Sequence, residues 1–486
     1  MKVRGIKTNY ILNIVRTILT TLIGIFTLPY VNSTLGVESV GKVEYINSII
    51  TYFVLISALG IPMYGVREVA RVRDDIRERS SVVLELLLIL FITTIISYIV
   101  VLILTLTVFS EGSYRDLIIV LCPIILLTNI GAEWFFQGIE DQLYITIRFI
   151  VVKAITLVLL FTLVKTKDDY IIYAGITVVS GVGGNIFNLY RLRKYVNLTV
   201  SSLKCLNIKR HFRGILTVFL ATISVSIYLQ LDITLLGAIG GDETVGLYAT
   251  ANKLVRFSIL FITTLGAVML PRLSYLYDNG RLIEYETYLA KSLKYILFFS
   301  VPISALIFSL SREIILVMAG EQFLGSVGAM RILSFLIIII GIAYYLAFMI
   351  LYPQGKESLY TKIVVVSAVV SVVMNILLIP KFLHIATASV SVFVELLGII
   401  LMIVVCKKQL ISLGFFSKSN LHYFFAGGFI CLLIPFIPAL SNNLLFTIFL
   451  KSFTGLITYL LYLLIFKDSL LYELYGKALS YLNKNR

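Results

Sequence analysis

Apolar runs of about twenty residues recur along the chain from near its first residue to near its last, separated by short polar segments. As a helix rising about 1.5 Å per residue, a run of that length crosses a hydrocarbon layer of roughly 30 Å. A helix also satisfies its own backbone hydrogen bonds in lipid, where no water can do so. The pattern predicts an all-α integral membrane protein of about fourteen transmembrane helices, at 10–31, 44–64, 82–108, 116–137, 145–164, 169–190, 214–239, 247–270, 292–310, 327–352, 363–380, 386–406, 423–440 and 446–466. The first run, Tyr10 to Val31, is too long for a signal-peptide core and is followed by no small-residue cleavage pattern, so it reads as an uncleaved first span.

Charge orients these spans. With the N-terminus inside, 28 cations fall in cytoplasmic segments, among them Arg67, Arg71, Arg73, Arg77 and Arg79, and seven more between Arg191 and Arg213. Six remain outside: Lys42, Arg115, Lys165, Lys167, Arg312 and Lys381. That asymmetry follows the positive-inside rule and places both termini in the cytoplasm. Composition agrees, with 59% hydrophobic residues, 14% charged and a mean hydropathy of +0.98, where a soluble domain has roughly 45–50% apolar and 25% charged. The net charge of +15 does not indicate a nucleic-acid binder, because the cations sit in short loops between apolar runs and not on one water-facing surface with stacking aromatics. Cys122, Cys205, Cys406 and Cys431 are scattered without metal-ligand spacing, so neither a disulfide nor a metal site is expected. No glycine-rich phosphate loop follows a strand, so no nucleotide-binding domain and no cofactor are expected.

An internal repeat organises the spans. LGVESVGKVEYIN, between spans 1 and 2, is echoed by GGDETVGLYATAN, between spans 7 and 8. At an offset of 205, Gly36, Glu38, Val40, Gly41 and Asn47 fall on Gly241, Glu243, Val245, Gly246 and Asn252. Leu59, Gly60 and Met63 match Leu265, Gly266 and Met269 at an offset of 206. The unit is therefore six helices, and an even number preserves orientation, as in transporters built from parallel repeats around a central site. The expected organisation is a six-helix lobe over 1–213, a second over 214–422, and two additional helices with a cytoplasmic tail over 423–486.

Seven cations stay inside or near spans: Arg16, Arg148, Lys153, Lys253, Arg256, Arg331 and Lys451. A charge at the bilayer centre costs roughly 2.5–3.5 kcal/mol on an insertion scale, so these residues require a polar cavity or partners. On span 1, Asn9, Asn13, Arg16 and Thr20 share one face, and on span 8 Asn252, Lys253 and Arg256 do the same. These two stripes are expected to line a cationic cavity with Lys153 and Arg331, with Asn9, Asn13 and Asn252 as its polar members. Arg148 and Lys451, near span ends, are expected to snorkel to headgroups. Asp232, one turn after Tyr228, and Glu395, in line with Thr387 and Ser391, are the expected intramembrane acids, either as ion-coupling groups or as counter-ions to the cations. An excess of cations over acids suits an anion.

The segment AEWFFQGIEDQLYITIR, from Ala132 to Arg148, resembles the signature of Wzx-type flippases, the bacterial exporters of polysaccharide repeat units, within the multidrug/oligosaccharidyl-lipid/polysaccharide superfamily. The opening NYILNIVRTILTTLIGIFTLPYVNSTLGVESVGKVEY is similar to the start of the same family, and the resemblance covers essentially the whole chain. Read from the residues alone, Trp134, Phe135 and Phe136 at a cytoplasmic span end predict an aromatic interface belt. The resemblance implies two lobes rocking about a central cavity in the bacterial inner membrane. It implies as substrate a polyprenyl-diphosphate-linked oligosaccharide turned to the outer leaflet for O-antigen, capsule or a similar polymer. Membrane lipids, a polymerase and a chain-length regulator are the implied partners. Related peptidoglycan-precursor flippases carry an arginine on the second span; Glu44 to Tyr64 has none here, which favours a polymer repeat unit. A membrane potential, negative inside, drives an anion outward by about 2.3 kcal/mol per charge per 100 mV, so two phosphate charges supply on the order of 5 kcal/mol.

Two other functions are weighed against this one. A small-molecule antiporter on the same fold requires an acidic, aromatic-lined cavity for cationic drugs, and the intramembrane balance here is cationic. A membrane-embedded glycosyltransferase or polymerase requires a large outer loop or paired carboxylates, and the outer segments near 32–43 and 311–326 contain no histidine and no DxD-like pair. The chain is therefore expected to be a transporter and not an enzyme.

Overall fold

The computed structural model describes residues 6–110, 112–197, 206–438 and 443–484, with side chains at all of them except 6, 7, 10, 221, 224–229, 265–268 and 477–484. Cys205, Lys2, Arg4, Lys204 and Arg486 lie outside the described residues, as do the side chains of Lys7, Tyr228, Leu265, Lys477 and Lys484. Among the described residues every regular element is helical: α1 (Ile6–Ala58), α2 (Ile61–Arg71), α3 (Ile76–Thr107), α4 (Ser113–Leu121), α5 (Pro123–Ile130), α6 (Glu133–Gly138), α7 (Gln142–Leu163), α8 (Tyr170–Val178), α9 (Asn185–Leu192) and α10 (Lys209–Gly240). There follow α11 (Asp242–Asp278), α12 (Leu282–Ser309), α13 (Ser311–Met318), α14 (Ser326–Ser334), α15 (Leu336–Tyr344), α16 (Glu357–Ser412), α17 (Lys418–Leu433), α18 (Leu444–Ile465) and α19 (Ser469–Lys484).

Eleven helical stretches of the described residues are long and apolar enough to cross a membrane. Two of them, of 61 and 56 residues, far exceed one crossing. Gly36 (φ 75°, ψ 175°) interrupts α1 in the first, which also takes in the positive-φ turn at Leu59 and Gly60 before α2, and Leu383 (φ 51°, ψ −133°) interrupts α16 in the second. Parts of α3 and α16 reverse the pattern of a soluble protein's helices. On α3, Ile99, Leu102, Ile103 and Leu106 are more than half exposed, while Thr94, Ser97 and Thr105 are buried. On α16, Ser367, Ser371, Asn375, Thr387 and Ser391 are likewise inside. Lipid tails accept Ile and Leu as readily as a protein core does, so small and hydrogen-bonding residues make the helix contacts. The chain is a multi-pass membrane protein.

The chain divides into two compact units, residues 1–246 and 247–486. In the first, α1 packs against α3, α5, α7 and α10, and α2 packs against α6. In the second, α12 packs against α15 and α17, α14 against α16, and α17 against α18. The repeat seen in the sequence has a counterpart in backbone geometry. Gly36 and Gly241, equivalent at the offset of 205, share one conformation, with φ and ψ of 75° and 175° and of 82° and 173°. The two hairpins meet backbone to backbone inside the first unit: a Cβ on Gly41 would lie 1.8 Å from the Asp242 carbonyl oxygen, and one on Gly246 would lie 2.1 Å from that of Val37.

Candidate functional site

The site in the first unit begins with a break in a helix. After α5 the chain passes Gly131 and turns through Ala132, a non-glycine residue at φ 40°, ψ 43°. The left-handed region costs an ordinary residue on the order of 1 kcal/mol, so tertiary contacts must hold it. Gly131 supplies one of them by closing on Asn185, where a Cβ would come within 2.3 Å of the amide carbon. The six residues EWFFQG of α6 then form their own short helix, which ends before Glu140 at φ 61°. Trp134, Phe135 and Phe136 are not an interface belt: they are 4%, 0% and 0% exposed and pack with Tyr64, Val69, Val82, Leu86 and Ile145. Gly65 has no room for a Cβ against the Trp134 ring, 2.6 Å away. This packing fixes the direction of Glu133.

Glu133 joins two arginines from different helices. Arg16 on α1 donates from Nη1 to Oε1 at 3.1 Å, and Arg148 on α7 donates from Nη2 to Oε2 at 2.5 Å. Arg16 also donates from Nη2 to Asn13 Oδ1 at 3.2 Å, and Thr20 donates to the Arg16 carbonyl at 2.8 Å, so the polar stripe on span 1 is joined by hydrogen bonds. Arg148 Nη1 reaches Asn185 Oδ1 at 2.8 Å. Its side chain is 8% exposed, which corrects the expectation that it snorkels. Lys451 is corrected in the same way, because its ammonium pairs with Glu313 at 2.8 Å. Two guanidinium groups on one carboxylate leave the cluster with net charge +1. Shared charge-assisted bonds of this kind hold the guanidinium planes in place.

The other candidates make contacts of their own. Lys153 donates to Ser180 Oγ at 2.5 Å. Asp232, on α10, lies near Tyr52, and the acid that Arg16 holds is Glu133. In the second unit Arg256 is exposed and donates from Nε to Asn252 Oδ1 at 3.1 Å, one turn back on the same helix. Lys253 is half-buried on that helix. Arg331 donates from Nε to Ser311 Oγ at 3.0 Å, and Glu395 lies near Tyr360. Asn9 is half-buried at the start of α1.

Besides Glu313, two acids were missed from sequence. Glu133 sits inside the signature segment, but its cationic partner Arg16 is 117 residues away, so no spacing rule reveals the pair. Glu85 on α3 is 1% exposed and accepts from the Asn207 backbone N–H at 2.7 Å, Arg210 Nε at 2.8 Å and His211 Nε2 at 2.6 Å. His211 Nδ1 lies 2.8 Å from Tyr64 Oη. The one available signal was an acid in the first turns of an apolar run, which reads equally well as a helix-end charge.

Residues 6–277 match the family described as polysaccharide biosynthesis protein, and residues 218–381 match the family described as MatE. A Shigella dysenteriae protein with the provisional name of O-antigen transporter is 26% identical over 239 residues, 49% of this chain and 59% of that protein. An Escherichia coli K12 protein with the same provisional name is 21% identical over 388 residues, 80% of this chain and 93% of its own length. Among solved structures, the lipid II flippase MurJ in an inward closed conformation is similar over 95% of this chain and 99% of that one, with a TM-score of 0.71 at 16% identity. An outward-facing multidrug resistance MATE family transporter of the MOP superfamily is similar over 84% and 95%, with a TM-score of 0.53 at 17% identity.

Proposed function

The chain belongs to the polysaccharide biosynthesis protein family, and on that premise we propose that it is a flippase carrying polyprenyl-diphosphate-linked oligosaccharide repeat units to the outer leaflet. The observation that carries the reading is the pair of arginines, Arg16 and Arg148, set among lipid-crossing helices with one carboxylate between them. Intramembrane ionisable residues mark transport pathways, and an arginine presents to a phosphate the planar fork that it presents to a carboxylate. Arg16 is the contact proposed first, since Glu133 keeps Arg148 when a phosphate takes its place. Lys153 in the first unit, and Lys253, Arg256 and Arg331 in the second, are proposed cations along the path, with Asn9, Asn13 and Asn252 beside them. Asp232 and Glu395 are proposed as ion-coupling or counter-ion groups. We place the protein in the bacterial inner membrane with both termini cytoplasmic. Counting the two divided helices as two crossings each and adding α10 gives the fourteen spans of the proposed topology. The substrate is an O-antigen, capsule or similar repeat unit, moved by alternating access, and a polymerase and a chain-length regulator are the expected neighbours in the membrane.

Deleting the gene tests the reading: lipid-linked repeat units should accumulate on the inner leaflet and surface polymer should disappear. Normal polymer in a strain shown to lack any second exporter would refute it. In that null strain, Arg16→Ala should insert normally, because Glu133 retains Arg148, yet fail to restore polymer, while Arg16→Lys should restore part of it. The match of 218–381 to MatE supports a second reading, a small-molecule antiporter. That reading predicts altered drug accumulation, with surface polymer unchanged, in the same deletion strain.

A further inference from the structure

Helix α8 does not run straight into α9. From Val179 to Gly183 the backbone winds into a π turn, followed by Gly184. Such turns are rare and concentrate at functional sites. Here the turn packs against α7 and leaves an open-sided recess with a cavity volume of about 30 Å³, lined by Arg148, Phe149, Val152, Ser180, Gly181 and Asn185. Glycine maintains the space: a Cβ on Gly181 would meet nothing within 4 Å, whereas one on Gly184 would already crowd Arg148 Cδ at 3.3 Å.

One cation lines the recess and a second adjoins it. Arg148 is held through its two terminal nitrogens, and its buried Nε has no hydrogen-bond partner. Lys153 lies outside the lining itself, with its ammonium on the Oγ of the lining residue Ser180 and 5.7 Å from the Phe149 ring centroid. Among the described residues no carboxylate forms an ion pair with Lys153. A half-buried ammonium bonded only to a hydroxyl and set against a ring, with a buried unmatched N–H on the same helix, lacks an anion.

We propose that this recess is a phosphate-binding subsite, in which Lys153 and the Arg148 Nε–H donate to the oxygens of a lipid-borne phosphate and the Ser180 hydroxyl turns to donate a third bond. The proposal rests on the reading of the protein as a carrier of lipid-linked anions and deepens it by assigning Arg148, Ser180 and the π turn to the anion. The phosphate has two sources with one chemistry, the diphosphate of a substrate or the headgroup of a resident anionic lipid.

The purified full chain carries one tryptophan, Trp134, adjacent to Glu133, and its fluorescence is the readout. Farnesyl diphosphate and phosphatidylglycerol, each in neutral detergent, are the two probes. Wild type should show a saturable change with farnesyl diphosphate. Lys153→Gln, which removes the ammonium, and Gly181→Val, which fills open space, should each weaken it by about tenfold or more. If phosphatidylglycerol binds with the same dependence on both variants, the site holds a resident headgroup; if only the diphosphate does, it holds substrate. Variants that bind both probes as wild type does overturn the subsite, as does a wild-type chain that restores surface polymer in cells and binds neither probe. The flippase reading survives both results and falls only with the deletion experiment.

Discussion

Glu85 shows what a single buried charge does in this fold. Its carboxylate is 1% exposed and is matched by a backbone N–H, an arginine and a histidine, all from the segment entering α10. Removing one partner of such a cluster leaves the others buried without compensation, at a cost of roughly 3–5 kcal/mol. Glu85→Ala should therefore lower the melting temperature of the purified protein sharply. Glu38→Ala should not, because the Glu38–Lys42 pair has a carboxylate 69% exposed and exposed pairs contribute about 0–1 kcal/mol. Equal melting temperatures for the two variants would contradict a structural role for the Glu85 cluster. Arg148 and Lys451 teach the same lesson from the cationic side. Their positions near span ends suggested headgroup contacts, and acids on other helices, Glu133 and Glu313, hold them instead.

At the scale of elements, the hairpins at Gly36–Gly41 and Gly241–Gly246 carry the most specific constraint. Their backbones meet where Gly41 and Gly246 lack a Cβ, and the atoms in the way are carbonyl oxygens, which cannot turn aside as a side chain would. Gly41→Ala and Gly246→Ala should each destabilise the protein by at least about 1–3 kcal/mol. Gly428→Ala, with nothing within 4 Å of the added carbon, should stay within about 0.5 kcal/mol of wild type. Thermal melts of the three variants in detergent check this, and a wild-type melt for Gly41→Ala would show that the hairpins do not touch in solution. The EWFFQG helix is the complementary case. Its aromatic run predicted an interfacial belt, but two positive-φ residues, Ala132 and Glu140, bracket it and fold it back onto α2, where three aromatic rings find a core.

For the whole molecule, orientation is the property to test. In a background with Cys122, Cys205, Cys406 and Cys431 replaced, a single cysteine in place of Glu38 should react with a membrane-impermeant maleimide added to intact cells. Cysteines in place of Asp74, whose side chain is 97% exposed, or of Ile283, 85% exposed, should react only after the membrane is opened. Labelling of position 74 in intact cells would invert the topology, since the arginines around it carry much of the charge asymmetry. The sequence alone determined the membrane as solvent and the helical class. Each of these is written in local periodicity or in counts of residues, and neither depends on which helix neighbours which. The tertiary structure decided the pairing: that Glu133 holds Arg16 and Arg148, that Glu85 closes on His211, and that the aromatic signature is a core. Glu85 and His211 are 126 positions apart and Glu313 and Lys451 138, and in a bilayer nearly every helix face is apolar enough to pack against several others. Hydrophobic pattern therefore cannot choose among neighbours, and the choice falls to a few buried charges and to glycines whose partners appear only once the chain has folded.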